Sequence, residues 1–420
     1  MTRIRHALRG AATTAALLAV SCASTARLPA VPARLAPRAD VVGFTNDIRY
    51  FPRDAEDVRQ FEEAFVASWG RERATLGLAP GAPLPPAAYL AISGGGDNGA
   101  FGAGLLNGWT KAGDRPTFKL VTGVSTGALI APFAFLGPAY DARLKALYTD
   151  ISMKDIAELR PLYTALFSEA MADTAPLARL VEKSVTQEML DAIAAEHEKG
   201  RILLVGTTNL DARRPVIWDI TRIAATHSPS ALRLVHKILL ASAAIPGTFP
   251  PVMIDVTADG RPYSEMHVDG GTANQVFVYP VASELARLSR ENDAERARTL
   301  YIIRNARLDP EWAQVDRRTL PIALRAITCL IQYQGIGDLY RIYTIARRDH
   351  VAYNLAYIPP TFDTPHTTDF DQPYMRALFD LGDKMAAERH EWATHPPVLL
   401  SGEGDENAKL LRLDPDARAQ

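Results

Sequence analysis

Between residues 88 and 136 the chain twice passes from a short apolar run, through a glycine-rich turn, into a helical stretch. The first run, 88–93, meets Gly94-Gly95-Gly96-Asp97-Asn98-Gly99 and then a helix predicted over 100–109. The second, 118–122, meets Gly123-Val124-Ser125-Thr126-Gly127 and a further apolar helical segment. Short apolar runs without alternation belong to strands buried on both faces, as in parallel sheets. A parallel neighbour is reached only by a crossover, which the intervening helix supplies. Further strands are predicted at 202–206, 216–218 and 300–303, and a hairpin pairs 252–256 with 263–268 around Ala258-Asp259-Gly260. The pattern is α/β: a largely parallel sheet covered by helices on both faces.

Of the 420 residues, 47% are hydrophobic and 22% charged, enough for a sizeable core. A net charge of −2 carries no basic excess, so no nucleic-acid partner is expected. Arg3, Arg5 and Arg9 precede an apolar run over 11–20, too short to span a bilayer and suited to a signal peptide over 1–22. Ala19-Val20-Ser21-Cys22 resembles a bacterial lipobox, in which Cys22 is lipidated and becomes the new N-terminus. Cleavage near Ala23, leaving a free periplasmic or secreted protein, is the alternative. On either reading the protein is exported, and as a lipoprotein it is held on a membrane facing the periplasm or cell exterior.

The Pro-, Ala- and Arg-rich segment 23–50 reads as a tether. Residues 51–85 read as an N-terminal helical extension with Phe61, Phe65 and Trp69 on one face, 86–305 as the catalytic domain, and 306–420 as a helix-rich region packed on it. Two amphipathic segments there, 317–343 and 374–392, are expected to complete the core rather than cap the site. Cys329, in an apolar stretch, is expected to be a buried structural thiol. With Cys22 lipidated it has no disulfide partner, and no His, Asp or Glu cluster has ligand spacing, so neither a metal nor another cofactor is expected.

Three motifs carry chemistry. In the 94–99 turn, successive backbone N–H groups can converge on one anion with a helix N-terminus behind them. A dinucleotide-binding loop has the same glycine spacing, but its acidic residue ends the second strand, whereas Asp114 precedes that strand here. The G-x-S-x-G at 123–127 falls at a strand-to-helix junction, where a strained turn exposes the serine hydroxyl and flanking glycines allow it. Asp269-Gly270-Gly271, after the hairpin, is by itself no more than a turn.

Taken in order, Gly94 to Gly99, Gly123 to Gly127 and Asp269 to Gly271 resemble the three signatures of patatin-like phospholipases. Ala241-Ser242-Ala243-Ala244-Ile245-Pro246 and Phe249-Pro250-Pro251 resemble that family's segment before its aspartate, and the likeness covers about residues 86–280. The resemblance implies a three-layer α/β/α fold with a mostly parallel central sheet, hydrolysis of acyl esters of membrane lipids, and a dyad of Ser125 as nucleophile and Asp269 as base. It assigns Gly94, Gly95, Gly96 and Asn98 to the oxyanion hole, with Gly99, Gly123, Gly127, Gly270 and Gly271 completing the motifs. The sequence departs from the family where an arginine commonly precedes the last glycine of the loop, here Asn98, and where an acidic residue precedes the first, here Ser93. Two alternatives stay open: a catalytically idle lipid-binding or scaffold protein of this fold, and a Ser-His-Asp esterase using His350, His366, His390 or His395. His267, two residues before Asp269, could tune the site, though a structural role is expected of it.

Overall fold

The computed structural model describes residues 27–79, 81–159, 169–310 and 312–396. The signal peptide and Cys22 lie outside them. Ten strands form one sheet: β1 (Asp40–Val41), β2 (Arg49–Tyr50), β3 (Ala87–Ile92), β4 (Phe118–Val124), β5 (Ile202–Asn209), β6 (Arg214–Asp219), β7 (Val252–Ala258), β8 (Arg261–Asp269), β9 (Arg298–Arg304) and β10 (Val351–Tyr357). A separate two-stranded ribbon pairs 158–159 with 172–173. The centre, in the order β5-β4-β3-β9-β10, is parallel throughout. Antiparallel strands β6, β8, β7 and β1 extend it beyond β5.

Central strands are buried on both sides, so alternate residues feed two cores. Leu90, Ile92, Val121 and Leu203 join the cluster under α2 (Gly99–Ala112), α3 (Thr126–Leu136), α4 (Ala231–Ser242) and α6 (Gln372–Ala387). Tyr89, Ala91, Leu120 and Leu204 join the opposite cluster with Phe61, Phe65 and Trp69 of α1 (Ala55–Thr75) and Leu339, Ile342 and Ile345 of α5 (Thr319–Arg348). Helices on two faces of one sheet make the three-layer α/β/α architecture that the sequence implied.

Three expectations are corrected. The segment read as a tether is, from Arg27 onward, part of the body. Arg27 bonds Asp211 at 2.7 Å and the Ser264 carbonyl at 2.7 Å, Ala39, Ile48 and Tyr50 are buried, and β1 and β2 pair with β7 and β6. Its lack of hydrophobic periodicity hid this, because strands two residues long carry no period. The sheet also continues past residue 305, where β10 adds a parallel strand beside β9. Finally, Cys329 is exposed, because the first half of α5 stands away from the core.

Candidate active site

Strand β5 is long enough to carry two neighbours end to end on one edge. Its other edge is taken by β6 over residues 204–209. On the shared edge, β4 runs parallel, ending with Val124 opposite Gly206, and β8 runs antiparallel, ending with Asp269 opposite Thr207. The two strands therefore point their C-terminal ends at each other. Ser125 is the residue after Val124, and Asp269 is the last of β8, so side chains 144 positions apart in sequence face one another over adjacent positions of β5.

Ser125 sits at the turn into α3 with φ 56° and ψ −127°, a conformation that costs a non-glycine residue of order 1–3 kcal/mol and recurs at functional sites. The flanking glycines serve space rather than torsion. A Cβ on Gly123 would come 2.4 Å from the Gly127 carbonyl, and one on Gly127 would come 2.3 Å from the Ile92 carbonyl. The strain thus rests on the serine itself. Its N–H donates to Ser242 Oγ at 2.9 Å, and that hydroxyl donates to the Gly206 carbonyl at 2.7 Å. Two residues on, the Ala244 carbonyl accepts from the Asp269 N–H at 2.9 Å, so the end of α4 and the turn after it brace both side chains.

Asp269 is 4% exposed, and Oδ1 accepts from the Gly271 N–H at 2.6 Å. Burial pushes its pKa up to about 7, against the lowering effect of hydrogen bonds from the Ser125 hydroxyl and the Gly271 amide. Oδ2 has no well-formed partner, so the serine contact is loose, as catalytic hydrogen bonds often are before substrate arrives.

Two chambers meet at Ser125. One is apolar, lined by Leu129, Phe133, Leu177, Leu180, Phe249 and Phe370. The other is polar and is lined by Asp97, Asn98, Asp269, Gln275, Arg304 and Arg307. Gly96 borders both; its φ of 60° suits glycine, and a Cβ there would meet nothing within 4 Å. Among the described residues, the N–H groups of Gly95 and Gly96 make no hydrogen bond, leaving them available to an anion.

Two members of the expected oxyanion set are placed differently. The Gly94 N–H is spent on the Gln275 carbonyl at 3.0 Å, which fixes the loop. The Asn98 N–H donates to the Gly95 carbonyl, and its Oδ1 accepts from the Tyr374 hydroxyl at 2.6 Å, leaving only the side-chain amide toward the chamber. Gly99 packs against Thr126 and Gly270 against the Gly206 carbonyl, while a Cβ on Gly271 would strike Gln275.

Several residues that hold the site escaped the sequence reading. Asn305, directly after β9, donates through its N–H and Nδ2 to Ser93 Oγ and O, both at 2.9 Å, and accepts from the Gly102 N–H at 3.0 Å. Arg304 beside it is buried with no ion pair among the described residues, and burial lowers its pKa to about 10, so it stays cationic. Their one legible signal was position, at the carboxyl end of a parallel strand, where α/β sheets bind ligands. Asp97 accepts at Oδ2 from the Phe370 N–H at 2.8 Å and lies 2.7 Å from His366 Nε2, drawing the 366–370 loop over the glycine turn.

Among the described residues, no histidine lines either chamber. His267 is fully buried, with ring nitrogens 3.0 Å from Thr207 Oγ1 and 3.1 Å from Glu265 Oε2, a structural role. Asp114 is exposed in the loop before β4, at the sheet end away from the glycine turn. Among the described residues there is no group of three or more His, Cys, Asp or Glu that could hold a metal ion.

Residues 90–282 match the model of the patatin-like phospholipase family. Among curated proteins, none matches the chain in sequence. The crystal structure of VipD from Legionella pneumophila aligns at 12% identity and a TM-score of 0.35, covering 72% of this chain and 67% of that one. That of the type III effector protein ExoU aligns at 15% identity and a TM-score of 0.22, covering 75% and 56%. Both scores fall below the range in which whole folds coincide. The family match spans the glycine turn, the Ser125 turn, the brace at 242–244 and Asp269, so over residues 90–282 this chain is similar to the patatin-like phospholipases.

Proposed function

We propose that the protein is a lipid acyl ester hydrolase working through a Ser125–Asp269 dyad. The observation that carries this reading is the meeting of the two side chains where β4 and β8 end head to head, at the junction of an apolar and a polar chamber. An alcohol needs a base within reach and a site for the tetrahedral oxyanion. Ionised Asp269, its pKa about 7, is matched to that task near neutrality.

The acyl chain lies in the apolar chamber, with the ester carbonyl against Ser125 and its oxygen on the Gly95 and Gly96 amides. As Ser125 Oγ bonds to the carbonyl carbon, its proton passes to Asp269. The intermediate collapses, and Asp269 returns the proton to the departing alcohol, whose headgroup occupies the polar chamber beside Arg304 and Arg307. Water then attacks the acyl-enzyme, giving its proton to Asp269, and Ser125 is restored with release of the fatty acid. A dyad needs no histidine, consistent with the lining of both chambers.

The test is a fluorophosphonate probe with a medium-chain ester as substrate. Wild type labels at Ser125 and turns over; Ser125→Ala does neither; folded Asp269→Asn loses at least about 10³-fold in kcat, the scale of general-base loss. Near-normal turnover by Asp269→Asn removes the dyad, and failure of Ser125 to label favours an idle lipid binder. We also propose export and lipidation at Cys22, for which radiolabelled palmitate incorporation in wild type and not in Cys22→Ser is the check.

A further inference from the structure

α5 is 30 residues long, yet none of the described side chains from Thr319 to Tyr333 is buried. Burial begins only at Gly335 and continues through Leu339, Ile342 and Ile345. The free half is apolar. Of the twelve exposed large hydrophobic residues among the described ones, six lie between positions 312 and 333: Trp312, Val315, Ile322, Ile327, Leu330 and Tyr333. Trp312 is 88% exposed, Leu330 71% and Ile322 52%, values that would suit a water-facing side of charged residues.

At about 100° per residue, Ile322, Ala326, Ile327, Leu330 and Tyr333 fall within a stripe about 140° wide, and the fifteen residues 319–333 extend it over about 22 Å. The polar chamber is edged by Arg325, Thr328, Cys329, Ile331 and Gln332 of the same turns, with Tyr333 at the border between chamber and stripe. No acidic residue occurs from 319 to 337, while Arg317 and Arg318 stand just before the helix, with Glu311, next to Trp312 in the sequence, and Asp316, paired to Arg318, as the acids nearest them. No helix among the described residues is long and apolar enough to cross a membrane. An amphipathic stripe bordered by arginines and aromatic residues, too short and one-sided to span, suits the plane of a bilayer interface.

We propose that the first half of α5, with Trp312, is the surface by which this protein docks on an anionic lipid bilayer, setting the mouth of the Ser125 chamber against the membrane. The choice of a lipid surface over another partner rests on the hydrolase reading; the unpartnered apolar stripe does not. Docked in this way, the substrate moves from the bilayer along the inner side of the helix to Ser125 without crossing water. Apolar area then contributes to binding and the arginines to selectivity for anionic headgroups.

The experiment uses the full chain with Cys22→Ser, so that no lipid anchor contributes, and vesicles of phosphatidylethanolamine with or without phosphatidylglycerol. Sedimentation with vesicles is expected, stronger with phosphatidylglycerol. The Trp312 fluorescence component, isolated by difference from Trp312→Phe, should shift to the blue on binding. Ile322→Asp with Leu330→Asp should lower the partition coefficient at least tenfold while hydrolysis of a soluble butyrate ester stays within twofold. Ile322→Gln with Leu330→Gln, a milder change to the helix, should fall between. Ser125→Ala should bind vesicles as wild type does, so a failed hydrolase reading would show as lost catalysis on a protein that still docks. The proposal is overturned if wild type does not bind, if the double variants bind undiminished, or if sedimentation equilibrium finds a dimer that Leu330→Asp dissociates.

Discussion

At the scale of single residues, the site depends on one carboxylate placed where charge is disfavoured. Burial holds the Asp269 pKa near 7, and in the proposed dyad only the ionised form would accept the Ser125 proton, so kcat/KM on a soluble ester should fall about tenfold per pH unit below about 7. A flat profile down to pH 5 would exclude Asp269 as the base. The same shift acts on stability. Because the folded-state pKa lies above the unfolded value, the folded protein loses stability as pH rises from about 4 to about 7, and the loss remains above that. When complete, a shift of this size amounts to roughly 4 kcal/mol. Asp269→Asn removes the ionisation, so its Tm relative to wild type should be higher at pH 8 than at pH 5. Ser125 adds its own cost through the backbone conformation that presents the hydroxyl. Both residues were legible in the sequence, as G-x-S-x-G and Asp-Gly-Gly, yet neither the raised pKa nor the seat of the strain was. Burial and torsion are set by neighbours that the motif does not contain.

Among the elements, the turn after α4 and the glycine-lined face of α2 do most to hold the site. Ser242 joins the Ser125 N–H to the Gly206 carbonyl, so Ser242→Ala leaves a buried donor and acceptor unpaired. The expected cost is about 1–3 kcal/mol of stability, together with a fall in kcat of about 10- to 100-fold from misplacement of the serine. Denaturant unfolding and ester kinetics on the same preparation check both. On α2, Gly104 and Gly108 let α6 approach until a Cβ on Gly104 would stand 2.0 Å from the Phe379 carbonyl. Gly104→Ala should therefore destabilise by about 2 kcal/mol or more through overpacking, measured as a lowered midpoint in urea. Helix periodicity predicted α2 and the 374–392 helix separately; the glycines that mate them read only as loss of helix propensity. For α5, periodicity marked an amphipathic segment but not which environment its apolar face meets, and the expectation of core packing holds only for its second half.

For the whole molecule, the proposed function rests on two strands sharing one edge of a third. The apolar chamber on one side of Ser125 should measure acyl length. Leu180→Trp, at its wall, should lower the long-chain to short-chain ratio of kcat/KM by about tenfold, since single methylene differences in apolar pockets are worth that much. An unchanged ratio across a series of ester chain lengths would place the acyl group elsewhere. The sequence by itself determined the α/β class, the crossover units and the hairpin, because these depend on periodicity and turn chemistry within some tens of residues, and its motifs named the groups proposed to react. Only the tertiary structure decided that β4 and β8 meet end to end on β5, that residues 27–50 complete the sheet, and that the start of α5 lies open. Strand order and helix docking are choices among long-range pairings whose energies arise from surfaces in contact, and no local pattern encodes which surfaces those are.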